Sequence, residues 1–324
     1  MKKTLILLVL LSTIGAAWSW GWYFVAGKVE ETLVQAKARL EDRDKNLRCT
    51  NQAISGFPFR ISVTCDSVTY SDNRRNLLFE AGELRSAAQA YQPGKAIIEL
   101  DAPSIITMNQ TDRFDVSWNT MRASMKAGFG GVEKFSAVGT TIRLDSEGSS
   151  RDSVDISELQ MHGRKVNVND VDLALVSEKV ISIGGLWPNF DLKVNLRFDD
   201  IYDILSRNPD LLGIARKQGL AGELTHLDYM PENGGRVIIK GPLEINTKGE
   251  LSGRFDVTVS ELKKLVNSLS LAFPDHKKTF REAELAAGLL SAVTGGSEIK
   301  IPVTVVRGEA IVGLIPIGKI PTVF

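Results

Sequence analysis

The chain has 324 residues, with 39 basic and 39 acidic side chains, three His and two Cys. Zero net charge offers nothing to neutralise a phosphate backbone, which argues against nucleic acid as a partner. Two Cys cannot build a disulfide-dense scaffold or a four-thiolate zinc site. A chain that is 43% hydrophobic and 24% charged has the balance of a folded protein, long enough for one large or two medium domains.

Residues 4–27 carry no charge. As a helix rising about 1.5 Å per residue they extend roughly 36 Å, enough to cross the roughly 30 Å hydrocarbon core of a bilayer. Lys2 and Lys3 precede the run, and the positive-inside rule leaves them in the cytoplasm. Trp18, Trp20, Trp22 and Tyr23 gather toward its far end, where amphipathic rings favour the membrane–water interface. A cleaved signal peptide is the competing reading, with residues 5–16 as its apolar core and small residues at 15–17 as its cleavage site. Against it, the apolar run continues through Phe24, Val25 and Ala26. Both readings export the bulk of the chain. Residues 1–27 are therefore read as an anchor in the inner membrane, single-pass, with the N-terminus cytoplasmic and the bulk periplasmic. Without Lys2 and Lys3 the remainder has a slight acidic excess, which argues against docking on anionic headgroups by charge alone.

In residues 28–46, Val29, Leu33, Ala36 and Leu40 recur at helical spacing among charges of both signs. This predicts a solvated helical stalk. Cys49 and Cys65 then frame a segment with strand alternation at Ile61, Val63 and Cys65 and turn residues in GFPF. In an exported domain this pair reads as a structural disulfide.

Period-two alternation dominates the rest. It recurs in 95–106 with a break at Ala102-Pro103, and again around Phe114, Ile142 and Val171. It is longest at Phe190, Leu192, Val194, Leu196 and Phe198. Each strand has one apolar and one wet face, and the short turn-rich gaps predict antiparallel hairpins. Helices are expected over 199–219, opened by an Asp cap and divided at Pro209, then over 260–273 and 276–296. The 147–152 loop offers a division of residues 47–324 into two halves. Two late segments, 240–253 and 301–313, share a strand–Gly–strand pattern and predict hairpins turning at Gly249 and Gly308. The expected fold is mainly β (α+β): a transmembrane helix and stalk, then a large curved antiparallel sheet with a few packed helices.

Catalytic constellations do not emerge. GLIPIGKI at 313–320 mimics a phosphate loop, but Ile320 replaces the Ser/Thr and the chain ends too soon for a helix to follow. His162, His226 and His276 share no ligand spacing, and hydrogen-bonded structural roles are expected for them. Acidic pairs such as Asp199-Asp200 read as helix caps. Catalytic residues, metal and cofactors are expected to be none.

Three stretches, ISGFPFRISVTC (54–65), AQAYQPGKAIIELDAPS (88–104) and IPVTVVRGEAIVGLIPIGKIP (301–321), together resemble DUF2125, a domain-of-unknown-function family of bacterial envelope proteins. The GFPF turn and strand–Gly–strand style are also similar to AsmA-like envelope proteins. That wider likeness implies an anchored, β-rich periplasmic body that handles lipid, and it carries no catalytic residues. The reading is a non-enzymatic, membrane-anchored periplasmic protein binding lipid or hydrophobic cargo for envelope maintenance. Phe190, Leu192, Val194, Leu196 and Phe198 are its candidate apolar groove, against the alternative that this face is ordinary core under the late helices. The competing functions are a scaffold or interaction module of an envelope complex, which would bring a protein partner, and an unrecognised hydrolase.

Overall fold

A computed structural model describes residues 2–128, 130–147, 153–183, 187–207, 210–272 and 298–324. The chain is mostly β, and the strand pairings described below are antiparallel, as alternation with short turns requires. It divides into two units. The first holds residues 1–126 and 144–150, the second 127–143 and 151–324.

The first unit opens with α1 (Lys2–Glu41), a single unbroken helix. It ends where Asp44 adopts a positive φ of 59°, and Lys45 already begins β1 (Lys45–Thr50). The helix thus stops short of residue 46. Within the expected stalk, Val29 packs on a cluster formed by Trp22 and Ala26 of the preceding segment with Ile61, joined by Val25, Ile54 and Ala90, and Lys37 Nζ donates to Gln52 Oε1 at 2.8 Å. The helical stripe meets the β-body because apolar residues three and four apart share one face.

Nine further strands follow: β2 (Ala53–Ser55), β3 (Arg60–Cys65), β4 (Ser67–Asp72), β5 (Leu77–Ala81), β6 (Leu84–Gln89), β7 (Gln92–Leu100), β8 (Ser104–Met108), β9 (Asp112–Ser117) and β10 (Thr120–Gly128). They form two ladders. One runs β1–β4–β5–β8–β9 and the other β2–β3–β6–β7–β10. The chain passes from one to the other between β1 and β2, β3 and β4, β5 and β6, β7 and β8, and β9 and β10. The Cys49–Cys65 disulfide, with Cα atoms 5.3 Å apart, ties β1 of one ladder to β3 of the other. Asp72 is almost wholly buried. Its Oδ1 accepts the N–H groups of Arg74 and Arg75 at 3.1 and 3.2 Å, and Lys45 Nζ lies 3.5 Å from Oδ2.

In the second unit the chain meanders through β12 (Ser153–Val166), β13 (Asp170–Ile183), β14 (Phe190–Phe198), β15 (Leu220–Pro231), β16 (Arg236–Ile245), β17 (Leu251–Ser260), β18 (Glu298–Val306), β19 (Glu309–Val312) and β20 (Ile315–Lys319). Each pairs with the next. β11 (Gly131–Ser146) begins in this unit and ends in the first. The β18–β19 turn has Arg307 and Gly308 at φ 48° and 81°, the positive pair that a two-residue hairpin of matching twist requires. Gly249, at φ 80°, turns β16 toward β17. Both expected hairpins are present, and GLIPIGKI becomes the exposed β20 with no helix after it.

Helices α2 (Tyr202–Arg207) and α3 (Leu211–Gln218) lie between β14 and β15. The expected cap differs. Asn169, in the β12–β13 turn, accepts Tyr202 N–H on its carbonyl and Asp203 N–H on its side chain, both at 2.8 Å. Asp200 sits outside the helix at φ 54°. Asp210 caps α3, accepting Gly213 N–H at 2.9 Å. Ile201, Tyr202, Ile214 and Ala215 bury against Phe198, Leu220, Leu224, Leu243, Phe255 and Val305 to form the core. α4 (Leu262–Ala272) follows β17 and buries Leu265 and Val266. Pro209, most of the 147–152 loop and the expected 276–296 helix lie outside the described residues.

Replacing both cysteines by serine is expected to cost about 3 kcal/mol, the loop-closure effect for a ring of this size. Equilibrium denaturation of the full chain, with and without reductant, checks this. Reductant should destabilise the parent chain and leave the double variant unchanged.

Candidate functional site

Directly paired residues in antiparallel strands point to the same face, so register alone assembles the surfaces of the second unit. One apolar row runs Met161–Leu175–Val194–Leu227–Ile239–Val257–Ile301 across β12 to β18. Beside it runs Leu159–Ser177–Leu192–Tyr229–Val237–Val259–Ile299. Leu224 and Leu227 are three apart, which in a regular strand would put them on opposite faces. A register shift between them, matched on β14 between Asn195 and Leu196, inserts a bulge and restores both to the apolar face. Thr225 Oγ1 donates to Asn195 O at 3.1 Å within this bulge.

All five groove candidates share this face, and their environments differ along β14. Phe198 is core, closed over by α2 and α3, and Leu196 and Val194 pack on that core. Leu192 and Phe190 are half-buried, and the Phe190 ring lies 5.3 Å from that of Tyr229. Burial pushes the Tyr229 phenol above its ordinary range. At the β12 end Met161 is 47% exposed. The face is thus closed over by helices at Phe198, and Phe190 and Leu192 lie beyond the core that those helices cover.

The opposite face is wet and knit by charge. Asp172 is the register partner of both Arg164 and Arg197. Arg197 Nε donates to Oδ1 at 2.8 Å and Arg164 Nη2 to Oδ2 at 2.9 Å. Burial acts to raise the Asp172 carboxyl, and the two guanidinium hydrogen bonds outweigh it and hold it below its usual range. These residues line an open hollow of about 490 Å³ with Lys134, His162, Asn195 and Thr225. Beside it, Ser136 Oγ lies 2.8 Å from His162 Nδ1. His162 Nε2 is 3.0 Å from Gln160 Oε1, and Gln160 Nε2 donates to Glu158 Oε1 at 2.7 Å. That last bond turns the amide oxygen to the imidazole, so His162 Nε2–H donates to it. This Ser–His contact escaped sequence reasoning because 26 residues separate the pair. An amide, not a carboxylate, orients the ring, unlike the acid of a charge-stabilised triad. Further along this face Asp228, 3% exposed, accepts from Arg236 Nε and Nη2 at 2.8 and 2.6 Å. His226 Nε2 lies 3.6 Å from it. The Arg236 hydrogen bonds hold the Asp228 carboxyl low. His276 lies outside the described residues. Among the described residues no cluster of three His, Cys, Asp or Glu can hold a metal ion.

The anchor candidates converge with the GFPF turn in the first unit. Trp18 Nε1 donates to Pro58 O at 3.0 Å and Trp22 Nε1 to Arg60 O at 2.7 Å. The Phe57 ring meets Trp22 edge-on at 5.6 Å and stacks on Tyr23 at 6.1 Å. Trp20 and Tyr23 stay largely exposed. Among the described residues, α1 is the helix long and apolar enough to cross a membrane.

Comparison with known proteins bears on this architecture. The model of DUF2125, described as an uncharacterized protein conserved in bacteria, matches residues 22–321. The chain therefore belongs to the DUF2125 family. The match supports that resemblance and does not extend to the AsmA-like one. The comparisons with curated proteins and with solved structures find no match.

Two carboxyls held low predict acid sensitivity. Asp172 and Asp228 contribute stability that is complete above their unfolded pKa, about 3.9, and is lost as pH falls through their depressed folded values. Asp228→Asn should cost about 2 kcal/mol at neutral pH, the worth of hydrogen bonds to a charged group, and should flatten the acid limb. Urea unfolding between neutral pH and pH 3 measures both.

Proposed function

We propose that this DUF2125 member is a non-enzymatic protein anchored in the inner membrane, with its N-terminus cytoplasmic and its bulk periplasmic, that binds lipid or another hydrophobic cargo in envelope maintenance. The observation that carries the reading is the apolar face of the second unit. It is continuous over seven strands by register, yet half-accessible at Phe190, Leu192 and Met161. Concave or half-covered apolar surface of this kind is what acyl chains and other apolar ligands occupy. The compartment is supported by Lys2 and Lys3 ahead of the apolar helix, and by a disulfide, a bond that persists in oxidising compartments.

A second reading, an interaction module in an envelope complex, is favoured by β20. This strand is exposed at every residue, with Ile315 and Ile317 on it, and Leu314 before it is 97% exposed. Such a strand is a template for adding a partner's strand.

A photoreactive diazirine fatty acid added to the full chain in detergent micelles discriminates the two. Cargo binding predicts adducts on 190–194 and around Met161 that an excess of unlabelled fatty acid suppresses. It also predicts their loss in Leu192→Glu with α1 labelling retained. Adducts confined to α1 would overturn the reading.

A further inference from the structure

The GFPF turn that joins β2 to β3 is built for contact with lipid. It rests on α1 being the membrane span, and we infer that residues 56–59 insert into the outer boundary of the bilayer that α1 crosses.

Depth gives the first reason. With about 1.5 Å of rise per residue, Trp18 lies roughly 21 Å along the helix from Thr4 and Trp22 roughly 27 Å. A hydrocarbon core of about 30 Å beginning near Thr4 therefore takes in the level of both indoles. The turn is tied to those same rungs, Pro58 to Trp18 and Arg60 to Trp22. Lys28, where charge resumes, is roughly 15 Å beyond Trp18 on the same rise, so the turn hangs below the first charged residue of the helix.

The second reason is that several backbone groups of the turn find partners within the protein. An irregular loop is excluded from lipid because its polar groups lack partners there. Here the Gly56 carbonyl accepts Arg60 N–H and the Phe59 carbonyl accepts Ala90 N–H, both at 2.9 Å. The Pro58 and Arg60 carbonyls take the two indoles, and Pro58 has no N–H to leave unpaired. Gly56 makes this closure possible. It sits at φ 105°, and a Cβ there would stand 2.8 Å from Arg60 O.

Chemistry is the third. Phe57 and Phe59 are 50% and 66% exposed, an unfavourable placement in water for two adjacent rings and a favourable one at a bilayer boundary. They continue the exposed belt of Trp20, Tyr23 and Phe24 on α1.

Both native cysteines are joined in the disulfide, so an introduced cysteine is the single thiol open to a spin label. Labels at Phe57→Cys or Phe59→Cys, each leaving the other ring in place, are compared in full-chain protein in phosphatidylcholine nanodiscs. Ile14→Cys on α1 and Val168→Cys, at a site 85% exposed in the second unit, are the references. Labels at 57 and 59 should collide with oxygen more, and with a water-soluble nickel complex several-fold less, than the label at 168. If 57 and 59 match 168 while 14 is lipid-buried, the insertion is wrong and the anchor stands. If 14 is also open to nickel, anchor and insertion both fail.

Discussion

In a sheet whose side chains alternate with period two, a slip of one residue exchanges the apolar and wet faces. Every ladder from β12 to β20 is subject to that constraint, and the continuous apolar face exists only if it is met. On the wet face Asp172 is held between Arg164 and Arg197, its direct partners on the strands either side, so displacing either strand separates an ion pair. Phe135 of β11 lies over Gly163 of β12, where a Cβ would strike the ring. The backbone opposite Gly222 and Gly241 approaches so closely that neither position tolerates a side chain. Charge, ring and backbone contacts each penalise a shifted register.

The bulge at Thr225 shows what that constraint demands of the sequence. Leu224 belongs to the core under α2 and α3, and Leu227 to the half-accessible row. Their odd spacing is reconciled by one extra residue, at the price of a locally broken ladder. The same device recurs between Ser177 and Val180 on β13, where Lys179 takes φ 50° and its N–H is received by Asp191 Oδ1 at 2.7 Å. Carbonyl and amide groups freed by a bulge thus find side-chain partners, as buried or semi-buried backbone must.

These devices also mark where sequence reading succeeds. β14, with alternation unbroken from Phe190 to Phe198, is legible to the residue, and the disulfide, the Gly308 hairpin and the apolar helix are legible as elements. β15 is not, because LTHL (224–227) has helical rather than strand spacing until the bulge is known. The cap of α2 is misassigned for a related reason. Asp199 and Asp200 satisfy the local signal, but Asn169 reaches the helix from a turn more than 30 residues earlier. The Trp18 and Trp22 indoles stand out in the sequence, whereas their acceptors, about 40 residues on, are set by tertiary placement. Local pattern encodes faces; it does not encode which distant carbonyl completes a donor.

The same contacts bear on the fate of the N-terminus. Cleavage near 15–17 would leave Trp18 and Trp22 on the mature chain, still donating to the GFPF turn. It would also leave Trp20, Tyr23 and Phe24 exposed, with neither bilayer nor body to cover them. The second half of the apolar run has two faces with different partners. Trp22, Val25, Ala26 and Val29 meet the β-body, and Trp20, Tyr23 and Phe24 need another apolar phase. A run that served only as a signal would have no need of the second face. That second face is what α1, among the described residues the helix long and apolar enough to cross a membrane, carries beyond its contacts with the first unit.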